Sequence, residues 1–561
     1  MILDLEEKLK SIRRKEEEEE ARKKAQEFGL PYLNLSTYFI DPSVVSIVPE
    51  EEAKKGNLAV IKKEGKRIYI AVKDPLDKNT REILDKLKEQ GYYYNLVVVS
   101  PKSLRKAWSK YQEIIPEASF IRQIQIDTSS IFQFQAEIKN LNGLKEKINE
   151  LQSQPISYTS KMLELILTGG LQTLASDIHF EREKNRTLLR YRIDGILYDV
   201  TYLSLENYKM LLSRIKLISG LLINITDVPQ DGSFSIKLKD KFIDIRTSCI
   251  PGLYGENIVL RILNPDLIDL SFSELGLEKD MLKTMEKEIR KPNGMIVNTG
   301  PTGCGKTTTL YAFIKEINKP NIKIITLEDP IEYRLEGIVQ TEVNREKGYT
   351  FLKGLRSILR HDPDVMLIGE IRDKTSAEVA LHSALTGHLL FTTLHTNDAA
   401  GAIPRYIELG TKPSILASAL NVVMAQRLVR KLCPYCKEQI TPSSSQLEKI
   451  ENAIKNIDKQ KLKLILKTSN PVSAVKNGKI KLYKAKGCKK CSKIGYKGRI
   501  GIFEMFVKDE EIEKLISQSP SHIQIFELAR KKGMRTMYED GILKVLQGIT
   551  TIEEVERVAR S

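Results

Sequence analysis

No run of about eighteen uncharged apolar residues occurs in this sequence, so none of it reads as a helix able to span a bilayer. The opening Met1-Ile2-Leu3-Asp4-Leu5-Glu6-Glu7 lacks the basic-then-apolar order of a secretory signal. A cytoplasmic protein, held at a membrane only through partners, is therefore expected. Tryptophan occurs once and aromatics make up 7% of the chain, with no aromatic-rich stretch to stack single-stranded bases. Cysteine is scarce too, six in 561 residues, which disfavours a disulfide-stapled scaffold. Four of the six stand as two Cys-x-x-Cys pairs, a pattern that favours metal in a cytosolic chain.

What is present begins with size and charge. At 561 residues the chain exceeds what one hydrophobic core supports, so three or four domains are expected. The formal net charge is +16, but it is concentrated: residues 430–499 hold 19 Lys and Arg against 4 Asp and Glu. A uniformly basic surface would suggest nucleic acid. One basic module suggests instead a single local acidic partner, or simply a solvated lysine face.

Residues 1–27 read as a charged helix, with apolar positions at Ile2, Leu5, Leu9 and Ile12. Residues 28–115 read as a small α/β domain, with strands at 58–61, 68–72 and 96–99, the last ended by Pro101, and a helix at 80–90. Residues 116–155 are polar and poorly periodic, as a linker with some helix. Residues 156–265 read as a second α/β domain whose Asp194-Gly195 marks a tight hairpin turn. From 266 to 561, uninterrupted apolar strands alternate with helices, the pattern of a parallel sheet covered on both faces.

The chemistry is concentrated in that last region. Gly300-Pro301-Thr302-Gly303-Cys304-Gly305-Lys306-Thr307, followed by Thr308, lies between an apolar strand and a helix, the context that makes a phosphate-binding loop credible. Its glycines let backbone N–H groups converge on phosphates, and the helix N-terminus adds favourable potential. Lys306 supplies a charge to the β- and γ-phosphates, Thr307 a hydroxyl to Mg²⁺; Cys304 is read as a small residue without a redox role. The strand Asp364–Ile368 leads to Glu370, and the segment Thr326–Glu332 carries Glu328, Asp329 and Glu332, all at the edge where α/β ligands bind. His388 and His395 flank or follow a further strand and could sense a γ-phosphate.

Together these segments resemble the secretion ATPase superfamily, in particular its type II secretion and type IV pilus assembly ATPases. Four signatures stand in order: the Walker A loop at Gly300–Thr307, an aspartate box at Glu328–Glu332, a Walker B strand at Asp364–Glu370, and a histidine box from Thr386-Gly387-His388 to His395-Thr396-Asn397. The resemblance implies an α/β multidomain fold: a RecA-like P-loop ATPase core, two preceding α/β domains and a four-cysteine zinc module. It implies ATP and Mg²⁺ on the loop, with Glu370 supporting metal and water. Glu332 would orient the attacking water, with Glu328 as a competing candidate. Arg246 and Arg261 match the arginines that the family's preceding domain places on the γ-phosphate, whereas Arg192 is assigned to subunit packing. Cys433, Cys436, Cys488 and Cys491 would hold a structural Zn²⁺, since four thiolates leave no open position. Also implied are a homo-hexamer powering pilin or pseudopilin assembly at the inner membrane and docking to the cytoplasmic part of a platform protein. The basic module is the candidate for contact with acidic phospholipid. The family's retraction motors lack both the N-terminal domain and the cysteine module, so an assembly or export role is favoured. No specific nucleic acid is expected; a nucleic-acid motor and a P-loop kinase are the competing classes.

Overall fold

The computed structural model describes residues 16–113 apart from 36, 37, 39, 41, 65 and 90, residues 123–124, 140–153, 159–238 and 241–264, and residues 270–559 apart from 346, 456 and 467–470. The apolar positions of the expected first helix lie outside these residues; residues 16–27 are helical. The chain divides into two units, Met1–Ile121 and Arg122–Ser561.

In the first unit, strands Leu58–Glu64, Arg67–Val72 and Tyr93–Val98 form one sheet in that order, the first pair antiparallel and the second parallel. Strand alternation divides its core in two: Ala59, Ile61 and Ala71 pack with Leu104 and Ala107, while Leu58, Val60 and Ile70 pack with Ile83, Leu84 and Leu87. Pro101 does more than end a strand. It opens the helix Pro101–Ser109, where its missing N–H costs nothing, and the Ser100 side chain accepts from Ser103 N as the cap.

The second unit begins with a seven-stranded sheet. Its order is Gln123–Ile124, Gln230–Leu238, Lys241–Ile250, Asn257–Leu263, Ala175–Arg182, Thr187–Ile193 and Ile196–Leu203. Apart from the parallel first pair, all neighbours are antiparallel. The Asp194-Gly195 turn takes positive φ at both residues, 50° and 85°, as a two-residue hairpin requires. Helix Leu141–Gln152, inside the segment read as linker, buries Leu144 and Ile148 completely in this domain's core.

The remaining sheet runs Val339–Glu342, Ile324–Glu328, Val365–Ile368, Leu389–Leu394, Gly294–Thr299, Leu420–Leu432 and Tyr496–Val507. The first six are parallel and the last is antiparallel to its neighbour. Met295 and Val297 face one helical layer and Ile296 the other, so both faces are covered. Parallel pairing brings Thr299 level with Leu394, and Ile368 level with Thr392 and Leu327, so four strands end at one edge. The cysteine module is an insertion between the last two strands: Cys433 follows Leu432 and Cys491 precedes Tyr496. That explains how thiol pairs some fifty residues apart in sequence start and finish side by side.

Candidate functional site

Strand Gly294–Thr299 delivers the phosphate loop, and helix Lys306–Ile317 leaves it. Gly300 and Gly305 take φ of 150° and 91°, and neither has room for a side chain. A Cβ on Gly300 would lie 2.7 Å from the Gln426 carbonyl oxygen, and one on Gly305 2.9 Å from Gln426 Nε2. Gly303, with φ 78°, faces open space, as do the exposed Pro301 and Thr302. Lys306 Nζ donates to the carbonyls of Gly300 (2.7 Å) and Pro301 (3.1 Å). Burial pushes its pKa down, against the nearby Cys304 thiol and the Glu370 carboxylate, which raise it. Cys304 is buried, and that burial pushes its thiol up, away from reactive thiolate. Thr307 and Thr308, half-buried, stand on the helix's first turn.

Glu370 is held beside this loop. Arg372 Nη2 lies 2.8 Å from its Oε2, and His395 Nε2 3.4 Å from its Oε1. Burial and then the charge of Lys306 push the His395 pKa below its ordinary value, so the ring is neutral at neutral pH. The backbone next to His395 is fixed through Thr299, whose hydroxyl accepts from Thr396 N at 2.8 Å. Lys306, Glu370 and His395 therefore converge, from the ends of three neighbouring strands.

The two candidates of the aspartate box differ sharply. Glu328 is buried: its Oε1 accepts from Thr326 Oγ1 (2.6 Å) and Gln340 Nε2 (3.3 Å), its Oε2 from Tyr311 of the loop's own helix. Glu332 is half-buried and meets Arg246, whose Nη1 lies 3.6 Å from its Oε2. Arg246 Nη2 also donates to the Ile331 carbonyl at 2.6 Å, so a second-domain strand reaches the edge of the ATPase sheet. Arg261, directly across from Arg246 in the ladder, turns the other way along the sheet and donates to Asp177 at 2.9 Å; Arg192 reaches the same carboxylate at 3.5 Å. His388 is not brought to the loop. It precedes Leu389 at the opposite edge, about 17 Å away along a six-residue strand, where its carbonyl accepts from Gly294 N and its Nδ1 lies 3.0 Å from Ser383 O.

A family model described as Type II/IV secretion system protein matches residues 152–557, which span both the second domain and the whole ATPase sheet. The chain belongs to that family. A further model, the MshEN domain, matches residues 28–117. Type II secretion system protein E of Pseudomonas aeruginosa is 40% identical over 443 residues, covering 78% of this chain and 84% of that protein. The type IV pilus assembly ATPase PilB of Myxococcus xanthus is 33% identical, covering 95% of this chain and 89% of that protein. Among solved structures, that of the pilus retraction motor PilT with bound ADP is 26% identical with a TM-score of 0.45, covering 71% of this chain and 96% of that one. The family match makes this chain a P-loop ATPase, and its fold is mixed α/β, as the resemblance implied.

Cys433, Cys436, Cys488 and Cys491 come together in the insertion between the last two strands. The sulfurs of Cys433 and Cys488 lie 3.9 Å apart, those of Cys436 and Cys491 3.7 Å, and those of Cys488 and Cys491 3.8 Å. Four thiolates at Zn–S bonds of about 2.3 Å place their sulfurs about 3.8 Å apart in a tetrahedron. Backbone N–H groups of Cys488 and Gly495 point at Cys491 Sγ, each at 3.2 Å, which suits a thiolate. None of the four is in a disulfide, and the set is compatible with zinc.

Two residues of the site were assigned no role from sequence, although Arg372 directly continues the Walker B signature. Gln426, on strand Leu420–Leu432, is buried beneath the loop, where its Oε1 accepts from Asn298 Nδ2 and Thr309 Oγ1, each at 2.9 Å. It thereby ties the strand entering the loop to the helix leaving it. Arg372, two residues beyond the Walker B acid, aims Glu370 and also lies 3.8 Å from Asp329.

Proposed function

We propose that this ATPase is a hexameric motor powering assembly of pilin or pseudopilin filaments at the inner membrane. The observation that carries the reading is the contact of Arg246 with Ile331 and Glu332, which joins the second domain to the aspartate box. A nucleotide at that junction is felt by two domains at once, so binding and phosphate loss can be converted into domain rotation.

In this reading Gly300–Gly305, Lys306, Thr307 and Thr308 hold ATP, and Thr307 and Glu370 hold Mg²⁺. Magnesium, when bound, neutralises charge on the β- and γ-phosphate oxygens. Glu370 draws the proton side of the water toward itself, with Arg372 and His395 fixing its orientation. Glu332 aims that water, because both oxygens of Glu328 are already taken. Residues 28–115 serve as a docking domain for the cytoplasmic part of an inner-membrane platform protein, residues 156–265 supply arginines, and residues 266–561 form the motor. The basic 430–500 module meets acidic phospholipid, which keeps the chain cytoplasmic but peripheral to the membrane. Among the described residues no helix is long and apolar enough to cross a bilayer. The relatives named for type II secretion and pilus assembly, and the presence of both accessory modules, support assembly or export.

Light scattering on the purified chain with ATP is expected to give six copies per particle, and full-length chain used as bait is expected to retain one inner-membrane protein. A monomer at every nucleotide condition, or turnover driven by DNA or RNA, would overturn the motor reading.

The cysteine set is proposed to hold one structural Zn²⁺ per chain. A mercurial titrated against the protein is expected to release one equivalent of zinc, read with a chromogenic chelator. Cys436→Ser is expected to cost on the order of 2–4 kcal/mol of stability, seen as a melting midpoint lowered by several degrees. Metal analysis below a tenth of an equivalent in freshly purified protein would refute the site.

A further inference from the structure

Arg427 follows the buried glutamine beneath the phosphate loop. Its Nη2 donates to the Asn397 carbonyl at 2.7 Å and its Nη1 to the Gln426 carbonyl at 3.0 Å. A Cβ built on Gly300 would lie 3.0 Å from Nη1, so the guanidinium packs directly on the first residue of the loop. Among the described residues, no carboxylate oxygen comes within 4.0 Å of it. At longer range Asp398 and Glu504 favour its charge, but each only in part. Asp398 is shared with His522 Nε2 at 2.8 Å, and burial raises Glu504 to about 7, so it is partly protonated at neutral pH. Lys306, which also meets Gly300, likewise hydrogen-bonds only to carbonyls, with Glu370 acting at longer range. The two cations are close enough that Arg427 lowers the Lys306 pKa, while burial lowers that of Arg427 itself.

Two half-buried positive charges beside one glycine, with acids only at longer range and none in direct contact, are costly. The cost is relieved when a polyanion arrives between or beside them. A brace that needed only hydrogen-bond donors to two carbonyls would not require a permanent charge at this position.

We propose that Arg427 is a second cation of the nucleotide site, compensating phosphate charge bound on the Gly300–Thr307 loop while holding Asn397 against it. The inference rests on the reading that this loop takes a triphosphate.

Calorimetric titration of the full-length chain with ATP and with ADP tests it. Arg427→Gln, which keeps donors and removes the charge, is expected to weaken ATP binding about tenfold or more. The loss for ADP is expected to be smaller, because one fewer phosphate charge is compensated. Arg427→Lys is expected to stay within about threefold of wild type, since the charge remains. Arg427→Met, of similar length and without donors or charge, replaces the glutamine variant if that one does not fold, and is expected to match its loss. ATP affinity unchanged in Arg427→Gln, or a lysine variant as weak as the uncharged ones, would overturn the proposal, as would equal losses for ATP and ADP. Wild-type chain that takes up no ATP would sink the nucleotide reading itself, and this inference with it.

Discussion

Glu370→Gln is expected to lower ATP turnover by about 10³-fold while leaving ATP affinity within about threefold of wild type. The substitution keeps shape and volume at the end of strand Val365–Ile368, so the loop and its glycines are undisturbed. What disappears is the negative charge that faces Lys306, Arg372 and His395. Lys306 then loses a nearby carboxylate, which leaves a site richer in positive charge and equally able to hold phosphates. Without the carboxylate, the attacking water has no acceptor for its proton and the metal loses a ligand. Steady-state phosphate release and equilibrium binding of a fluorescent ATP analogue, on the same preparation, separate the two effects. Wild-type turnover in Glu370→Gln would remove this residue from the chemistry. Lost affinity together with lost turnover would make it a binding residue.

Much of the site was legible because its chemistry is local in sequence. The Gly300–Thr307 spacing announces itself because a backbone that must wrap phosphate tolerates only glycine at positions such as Gly300 and Gly305, and the structure adds the reason, Gln426 packed against both. The cysteine pairs were legible for a similar cause, each pair being one hook. Their long separation weakened the signal until the fold placed the insertion between two antiparallel neighbours. The parallel sheet followed from uninterrupted apolar strands. Other features depend on pairing that no local pattern encodes. Gln426 and Arg427 reach the loop across a strand register more than a hundred residues distant in sequence. His388 and His395 share one sequence box, yet six residues of extended strand carry them to opposite edges of the sheet. Glu328 and Glu332 could not be separated by sequence, since only packing shows that Tyr311, Thr326 and Gln340 occupy the first and leave the second to Arg246.

That last contact gives the second large effect. Arg246→Gln is expected to reduce turnover by about 10²–10³-fold, the range for an arginine that stabilises transferring phosphoryl charge. Stability should barely move, because the Arg246–Glu332 pair is partly exposed and such pairs contribute about 1 kcal/mol or less. The guanidinium is held by the Ile331 carbonyl and Glu332 rather than locked in a buried pair, so a small displacement frees it for phosphate. Arg261 differs although it is the cross-strand neighbour. Its Nε already serves Asp177, a buried carboxylate that Arg192 shares, and Arg261→Gln is expected to cost only about tenfold through local rearrangement. The informative comparison is kcat for the two variants at saturating ATP, with melting midpoints recorded alongside. Equal losses would mean that Arg261 leaves Asp177 during turnover and that both arginines act on phosphate. An Arg246→Gln enzyme as fast as wild type would detach the second domain from the chemistry and leave the ATPase sheet to hydrolyse without a means of moving its neighbour.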